Sequence, residues 1–272
     1  MELDQIRAAW KNQENNDIKA CVEIWDSASG NYKSKPLPDW ETNDFLKLLG
    51  ESIDSLQDKT VLDIGCGAGA YAIALAGRAK SVAGIDISPQ MIRFAREKAK
   101  DRNVENVEFI CGDWNGFEIK KEGYEKKFDV VFAHMTPAVS SAAAFEKLIA
   151  CSKKHCYFVK PTRRTDPVLD EVKKLAGIEE DSESIDRSIV YAFDIAWQLG
   201  YCPHFTYREA IWEMEKSLEE AYAWYIGRVK TYKHINDNEA EKLKEYLKSL
   251  LVEGKIHETI ETTIVTMYWE VT

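Results

Sequence analysis

The sequence has no C-x-x-C pair, no cysteine and histidine at zinc-finger spacing, no run approaching 18 apolar residues and no excess of basic charge. Each absence removes a class of protein. The six cysteines, Cys21, Cys66, Cys111, Cys151, Cys156 and Cys202, stand apart, which argues against both a metal site and a redox dithiol. His155 and Cys156 are adjacent, but in an apolar strand that dipeptide reads as core. With no long apolar run, no bilayer span is expected. The opening MELDQIRAAWKNQENND lacks a basic n-region and an apolar h-region, so no export signal is expected. Free thiols and no export signal make the cytoplasm the expected compartment. Lys and Arg number 36 against 46 Asp and Glu, a net charge of −10. A duplex binder carries a basic stripe that is missing here, so nucleic acid and anionic membrane are disfavoured partners. Seven prolines and 14 glycines in 272 residues exclude collagen-like and low-complexity classes.

What is present suits a folded α/β protein. Hydrophobic residues make up 45% and charged residues 30%, so a chain of this length can bury a sizeable core without a staple. Residues 1–50 read as helical, with a Pro-rich turn at Lys35-Pro36-Leu37-Pro38. Strand–helix alternation follows: strands at Thr60–Ile64, Ser81–Ile85, Val107–Ile110, Phe128–Phe132 and Tyr157–Val159, with helices at Ala70–Ala79, after Ser88, and near Ser141–Ser152. Ser88 is placed as an N-cap, Pro89 as the first helical residue, and Ile87 with Ile92 as a staple. This alternation implies a mostly parallel sheet covered on both faces. Further on, Ser184–Leu199 carries Ile185, Ile189, Phe193, Ala196 and Leu199 at helical period. Phe205–Met214 reads as a strand, 217–230 and 237–252 as helices with Asn236 as a cap, and Ile256–Val271 as a final β-branched strand. The expected organisation is a helical cap over 1–50, a doubly wound α/β core over 51–215 and 255–272, and a helical insertion over 216–254.

One turn carries most of the chemistry. Gly65, Gly67 and Gly69 lie after a strand and before a helix, where glycines let a ligand approach the backbone. Nicotinamide and flavin proteins use a similar turn, so the glycines alone do not choose a cofactor. Asp63, two residues before the first glycine, would repel a pyrophosphate but receive an ammonium group. A cofactor with an amine and no phosphate at that end is implied, and S-adenosylmethionine fits. Asp86 ends the second strand, where an acid can accept both hydroxyls of a ribose, and Ile87 follows it. Gly112-Asp113-Trp114 follows the third strand; Asp113 can accept an exocyclic amine and Trp114 can lie along a base. His134 and Met135 sit just past the tip of the fourth strand, facing the same crevice.

With these four units in order, the sequence resembles the class I S-adenosylmethionine-dependent methyltransferases over roughly residues 59–160. The resemblance implies a seven-stranded sheet ending in an antiparallel strand. Trp25-Asp26-Ser27-Ala28-Ser29-Gly30-Asn31-Tyr32 is similar to a W-D-x-x-A-x-x-Y segment of its small-molecule members, with the alanine one place early. By resemblance, Asp63, Gly65, Cys66, Gly67 and Gly69 would hold the methionine part, Asp86 the ribose, and Asp113 and Trp114 the adenine. Met91 would border the adenosine, and His134 and Met135 the methyl-transfer site. The D/N-P-P-Y/F signature of amino-group nucleic-acid methylases is absent, since this chain reads Ala133-His134-Met135-Thr136 at that place. The implied reaction moves a methyl group to a small-molecule acceptor and leaves S-adenosylhomocysteine.

The sulfonium makes the methyl group electrophilic, so the protein's main tasks are alignment and exclusion of water. A base is required only if the acceptor must lose a proton, and His134 is the candidate. Tyr32 is a candidate for closing over the site, and Arg163 and Arg164, with Lys160, for clamping an anionic acceptor. Three other readings stay open. A nicotinamide-dependent oxidoreductase explains the glycines and Asp86 but not Asp63. A non-catalytic, partner-regulating protein would keep the binding residues and block the acceptor side. An RNA or protein methyltransferase would need an exposed basic or peptide-shaped groove.

Overall fold

A computed structural model describes residues 1–11, 17–178 and 184–271. Residues 12–16, inside the expected N-terminal helical region, and the side chain of Ile185 lie outside the described residues. Seven strands form one sheet: β1 (Thr60–Ile64), β2 (Ser81–Asp86), β3 (Val107–Cys111), β4 (Phe128–His134), β5 (Ser152–Thr165), β6 (His204–Ser217) and β7 (Lys255–Glu270). Their order is β3-β2-β1-β4-β5-β7-β6. β1 to β5 pair in parallel, whereas β7 is antiparallel to both of its neighbours. This is the doubly wound sheet expected from the alternation, with β7 as its antiparallel strand.

The order dictates where a ligand can sit. The chain runs outward from β1 through β2 to β3, then returns to place β4 on the other side of β1. The carboxyl ends of β1 and β4 therefore part at a topological switch point, the crevice used by open α/β sheets.

Alternating residues send side chains to opposite faces, and two apolar clusters result. Leu62, Ile64, Val131, Ala133 and Phe158 pack beneath α1 (Leu3–Ala9), α6 (Ala142–Cys151) and α8 (Ser184–Gln198). Val61, Val130, Phe132, Tyr157 and Val159 pack beneath α3 (Asp44–Ser52), α4 (Ala70–Ala76) and α5 (Pro89–Asp101). A third cluster joins α7 (Pro167–Leu175) to the helices between β6 and β7. Those helices are α9 (Leu218–Ala221), a π-helical turn (Tyr222–Ile226), α10 (Gly227–Lys230) and α11 (Asp237–Ser249).

Local signals act where the sequence places them. Ser88 Oγ accepts the amide of Met91 at 3.0 Å with Pro89 at the first position of α5. Asn236 and Glu239 form a reciprocal capping box at α11. The expected strand Tyr157–Val159 is longer in the structure, because β5 continues past the sheet edge as a ribbon with β7 through Thr165. The alternation Tyr157-Phe158-Val159 marks only the doubly buried middle. The flanking Lys153, Lys154, Arg163 and Arg164 read as loop because one of their faces meets water.

The amino-terminal segment reaches across the core. α2 (Ile18–Lys33) lies along α5, and Trp25 and Tyr32 meet Ala68, Met91 and Phe94 in a small fourth cluster. Asp26 fixes the contact: its Oδ1 accepts from Ser88 Oγ and from the amide of Gln90. A carboxylate there is favoured by the positive end of the α5 dipole.

Candidate functional site

The Gly-rich turn is held by backbone hydrogen bonds before any side chain is considered. The amides of Gly65 and Cys66 both donate to the carbonyl of Ile85, at 2.8 and 3.0 Å, tying the end of β1 to the end of β2. Gly65, Gly67 and Gly69 take φ of 71°, 53° and 75°, a region that side chains with a Cβ avoid. Gly65 is also crowded, since a Cβ there would lie 2.6 Å from Thr136 Cβ. Thr136 follows the tip of β4, so the turn after β1 and the loop after β4 touch at the switch point.

Two carboxylates sit in this turn. Asp86 accepts the amide of Gly67 on Oδ2 and the amide of Ser88 on Oδ1, both at 2.9 Å. Asp63 is only 3% exposed. Burial raises its carboxyl well above the usual range and the negative charge of Asp86 adds to this, while a bond from the backbone of Ala72 opposes it. Burial likewise raises Asp86, against the Ser88 and Gly67 amides, with Asp26 adding to the rise. No cation contributes to either shift. A buried acid and a half-buried one without a counter-charge form a site suited to a ligand carrying an ammonium group. The residues present therefore fit S-adenosylmethionine, a ligand with an ammonium group and a ribose.

Other expected residues stand close to this turn. Met91 is buried, with Sδ 4.0 Å from where a Cβ on Gly67 would stand. Ile87 is half-buried beyond Asp86. The amide of Gly112 donates to Asp86 O at 2.9 Å, which carries the end of β3 to the same edge. Cys66 is buried, and burial beside Asp63 and Asp86 pushes its thiol well up. It is a protonated packing group and no nucleophile.

Three expectations change. Trp114 does not lie along the crevice. It is 2% exposed in the core, stacks near Phe117 and donates its indole N–H to Ala144 O at 3.1 Å. Asp113 explains the turn: its carboxylate accepts the amides of Asn115 and Gly116 at 3.0 and 3.2 Å, and the next residue swings inward. The aromatic groups over the glycine turn are Trp25 and Tyr32 of α2 instead.

His134 is the second. Its ring lies 4.2 Å from Tyr71 and 4.9 Å from Phe45, centroid to centroid. Burial first, and Arg208 second, hold its pKa down to about 3. An imidazole so weakly basic is a poor acceptor for a proton near neutral pH, so the general-base reading is not supported. The linkage has a definite sign. The folded pKa lies below the unfolded value of about 6.5, so the unfolded chain binds the proton first. Stability associated with His134 is full above about pH 6.5 and falls as pH drops toward 3. A His134→Phe variant should flatten the decline in unfolding free energy between about pH 6.5 and 5; an unchanged slope in urea titrations would contradict this placement.

The pairing of Arg163 with Arg164 is the third. Arg163 lies exposed with φ 46° where the β5–β7 register shifts between Thr162 and Thr165. Arg164 is bound to Asp166, with Nη2 at 2.9 Å from Oδ1, and its guanidinium lies over Trp212. The pair does not act as one clamp. Lys160 is shielded, donates to Thr136 O at 2.9 Å, and has its pKa lowered by burial to about 8. It holds the loop after β4. Met135 stands at that tip with φ 54° and donates its amide to Val159 O.

The model of a family described as "Methyltransferase domain" matches residues 55–247. A solved S-adenosylmethionine-dependent methyltransferase from Thiobacillus denitrificans, in complex with S-adenosyl-L-homocysteine, superposes with TM-score 0.51 at 18% identity, covering 89% of this chain and 96% of that one. The YjhP protein of E. coli superposes with TM-score 0.51 at 18% identity, covering 90% and 98%. By sequence, an uncharacterized RNA methyltransferase of Clostridium tetani is 36% identical over 87 residues, 30% of this chain and 19% of that protein. A 23S rRNA (uracil(1939)-C(5))-methyltransferase of Shewanella sediminis is 34% identical over 104 residues, 37% and 22%. The chain thus spans about a fifth of the length of these two relatives.

Fold and site together define a Rossmann-like, S-adenosylmethionine-dependent methyltransferase domain. The chain belongs to the family described as "Methyltransferase domain".

Proposed function

We propose that the protein transfers a methyl group from S-adenosylmethionine to a small-molecule acceptor bound between the switch-point edge and the helices that cross it. The observation that carries this reading is the pair beside the Gly-rich turn, buried Asp63 in β1 and half-buried Asp86 at the end of β2, without a facing cation. When bound, the cofactor supplies an electrophilic methyl group on a sulfonium. The chain's own residues would bind and orient it: Asp63 toward the amine, the turn from Gly65 to Gly69 along the methionine part, Asp86 toward the ribose. Trp25, Tyr32 and Met91 would exclude water from above. The rate advantage in this reading comes from alignment and a dry site, with no side-chain base required.

A small acceptor is favoured by the net charge of −10 and by α2 lying over the turn. In this reading α2 and the segment from Leu218 to Ser249 serve as a lid, so residues 1–50 and 216–254 cover a core of 51–215 and 255–272. Among the described residues no helix is long and apolar enough to cross a membrane. The cysteines are all unpaired, which supports a cytoplasmic site of action. RNA is the second reading, favoured by the partial similarity to RNA methyltransferases. Incubation with methyl-labelled S-adenosylmethionine and a cell extract should place label in the small-molecule fraction. Label in RNA would overturn the acceptor class.

The role of Asp63 has its own test. Asp63→Asn should weaken S-adenosylhomocysteine at least about tenfold, as for a lost charge-assisted bond. It should leave methylthioadenosine, which lacks the amino acid part, within about twofold, because the interaction removed is with the ammonium alone. Equal losses for both ligands would show that Asp63 supports the turn and does not bind the amine.

A further inference from the structure

The segment between β6 and β7 brings a cation to the crevice that neither the motifs nor the cofactor uses. Its helix changes from α to π over Tyr222–Ile226 and back to α over Gly227–Lys230. Such π turns shift the direction of the side chains that follow and recur at functional sites. Here the turn sets Trp224 edge-on to Trp25, centroids 5.9 Å apart at 77°. Gly227 packs on Ile24, where an added Cβ would stand 3.4 Å from the Ile24 side chain. Arg228 is therefore carried against α2.

Arg228 is poorly matched to that place unless something joins it. Its Nε is shielded from solvent and has no hydrogen-bond partner. Among the described residues no carboxylate forms an ion pair with it. Shielding a guanidinium donor without an acceptor is costly. Its charge reaches Tyr32, which also lies in the fields of Arg164 and Asp86. The Tyr32 hydroxyl thus feels both guanidiniums as well as the acid assigned to the ribose. Arg164 arrives from the end of β5, fixed by Asp166, and Arg228 from the helical segment above. Guanidinium forks match carboxylate and phosphate oxygens in a way an ammonium does not.

We propose that Arg228, together with Arg164 and the Tyr32 hydroxyl, binds an anionic oxygen group, carboxylate or phosphate, on the methyl acceptor. The proposal rests on the methyltransferase reading and narrows its acceptor to small anionic molecules. It also gives the α2 contact a purpose: the anion crosslinks α10 to the end of β5 and closes the acceptor side while the cofactor is held below.

The test uses the full chain saturated with S-adenosylhomocysteine and titrated with inorganic phosphate and, separately, with acetate. The wild type should bind at least one of the two, which also tells phosphate from carboxylate. Arg228→Gln should weaken that binding at least about tenfold, and Tyr32→Phe about two- to fivefold. Affinity for S-adenosylhomocysteine should change less than about twofold in Arg228→Gln, because the proposal places Arg228 on the acceptor and not the cofactor. Arg228→Lys keeps the charge and loses the fork, so it should fall between wild type and Arg228→Gln; it serves as the second variant if Arg228→Gln folds poorly. Absence of anion binding in the wild type, or equal binding in Arg228→Gln, would overturn the proposal. Should S-adenosylhomocysteine itself not bind, the methyltransferase reading fails separately, and the same anion titrations on the free protein still decide the role of Arg228.

Discussion

Gly65→Ala should cost the fold about 2–5 kcal/mol and remove measurable binding of S-adenosylhomocysteine. Two effects add. Holding an alanine at φ 71° costs about 1–2 kcal/mol. The new Cβ would stand 2.6 Å from Thr136 Cβ and overlap its hydroxyl, and overpacking of this kind costs about 1–3 kcal/mol. The backbone cannot turn away easily, since the Gly65 amide is bonded to Ile85 O. Any relaxation must move Thr136 and with it the loop after β4, where the methyl-transfer site is expected. Gly123 is the control. It has φ 67° but open space where a Cβ would go, so Gly123→Ala should show only the conformational cost of about 1–2 kcal/mol. Denaturant titrations of both variants decide the matter, and a Gly65→Ala protein no less stable than Gly123→Ala would contradict the contact between the turn and Thr136.

Asp86→Ala should weaken S-adenosylhomocysteine by about 1.5–3 kcal/mol, the range for a lost hydrogen bond to a charged group. That corresponds to roughly 10- to 150-fold in affinity. The carboxylate holds the amides of Gly67 and Ser88, so part of the loss would come from a looser turn. The ligand series separates the two origins. Methylthioadenosine keeps the ribose, so it should weaken as much as S-adenosylhomocysteine in Asp86→Ala while staying near wild type in Asp63→Asn. The pH response follows from the same pair. Both acids have folded values above their unfolded ones, so the unfolded chain loses these protons first. Without ligand, their contribution to stability is full below about pH 3.9 and is lost as pH rises toward the folded values. A bound ammonium group offsets that loss, so stabilisation by S-adenosylhomocysteine should be greater at neutral than at mildly acidic pH. Unchanged affinity in Asp86→Ala would remove the ribose assignment.

Much of this architecture is legible in local sequence because local rules decide it. The strand–turn–helix at Val61–Ala70, the cap at Ser88 and the capping box at Asn236 are each set by neighbours within a few residues. They appear where the sequence places them. The positions of Asp63 and Asp86 are legible for the same reason, since each lies at a fixed step from a strand end. The errors fall where the deciding contact is distant in sequence. Trp114 faces the core because Ala144, thirty positions later, offers its carbonyl. His134 is a weak base because Phe45 and Tyr71 shield it. Arg163 is parted from Arg164 where the register of β5 slips against Thr263 and Glu261 of β7, about a hundred positions later. Arg228 carries no local sign at all. Its importance comes from the meeting of α2 with a segment nearly two hundred residues away, which no periodicity records.

Calorimetric titration of the purified protein with S-adenosylhomocysteine, with NADH as a parallel control, tests the central claim most directly. The two ligands share an adenosine ribose for Asp86, but only the first carries an ammonium group for Asp63, and only the second carries a pyrophosphate. The account expects S-adenosylhomocysteine to bind with a dissociation constant on the order of micromolar, about −8 kcal/mol, and NADH to give no signal. Binding of NADH in its place would contradict the reading of Asp63 and point to hydride transfer. Binding of neither would point to a protein that keeps the fold without the chemistry.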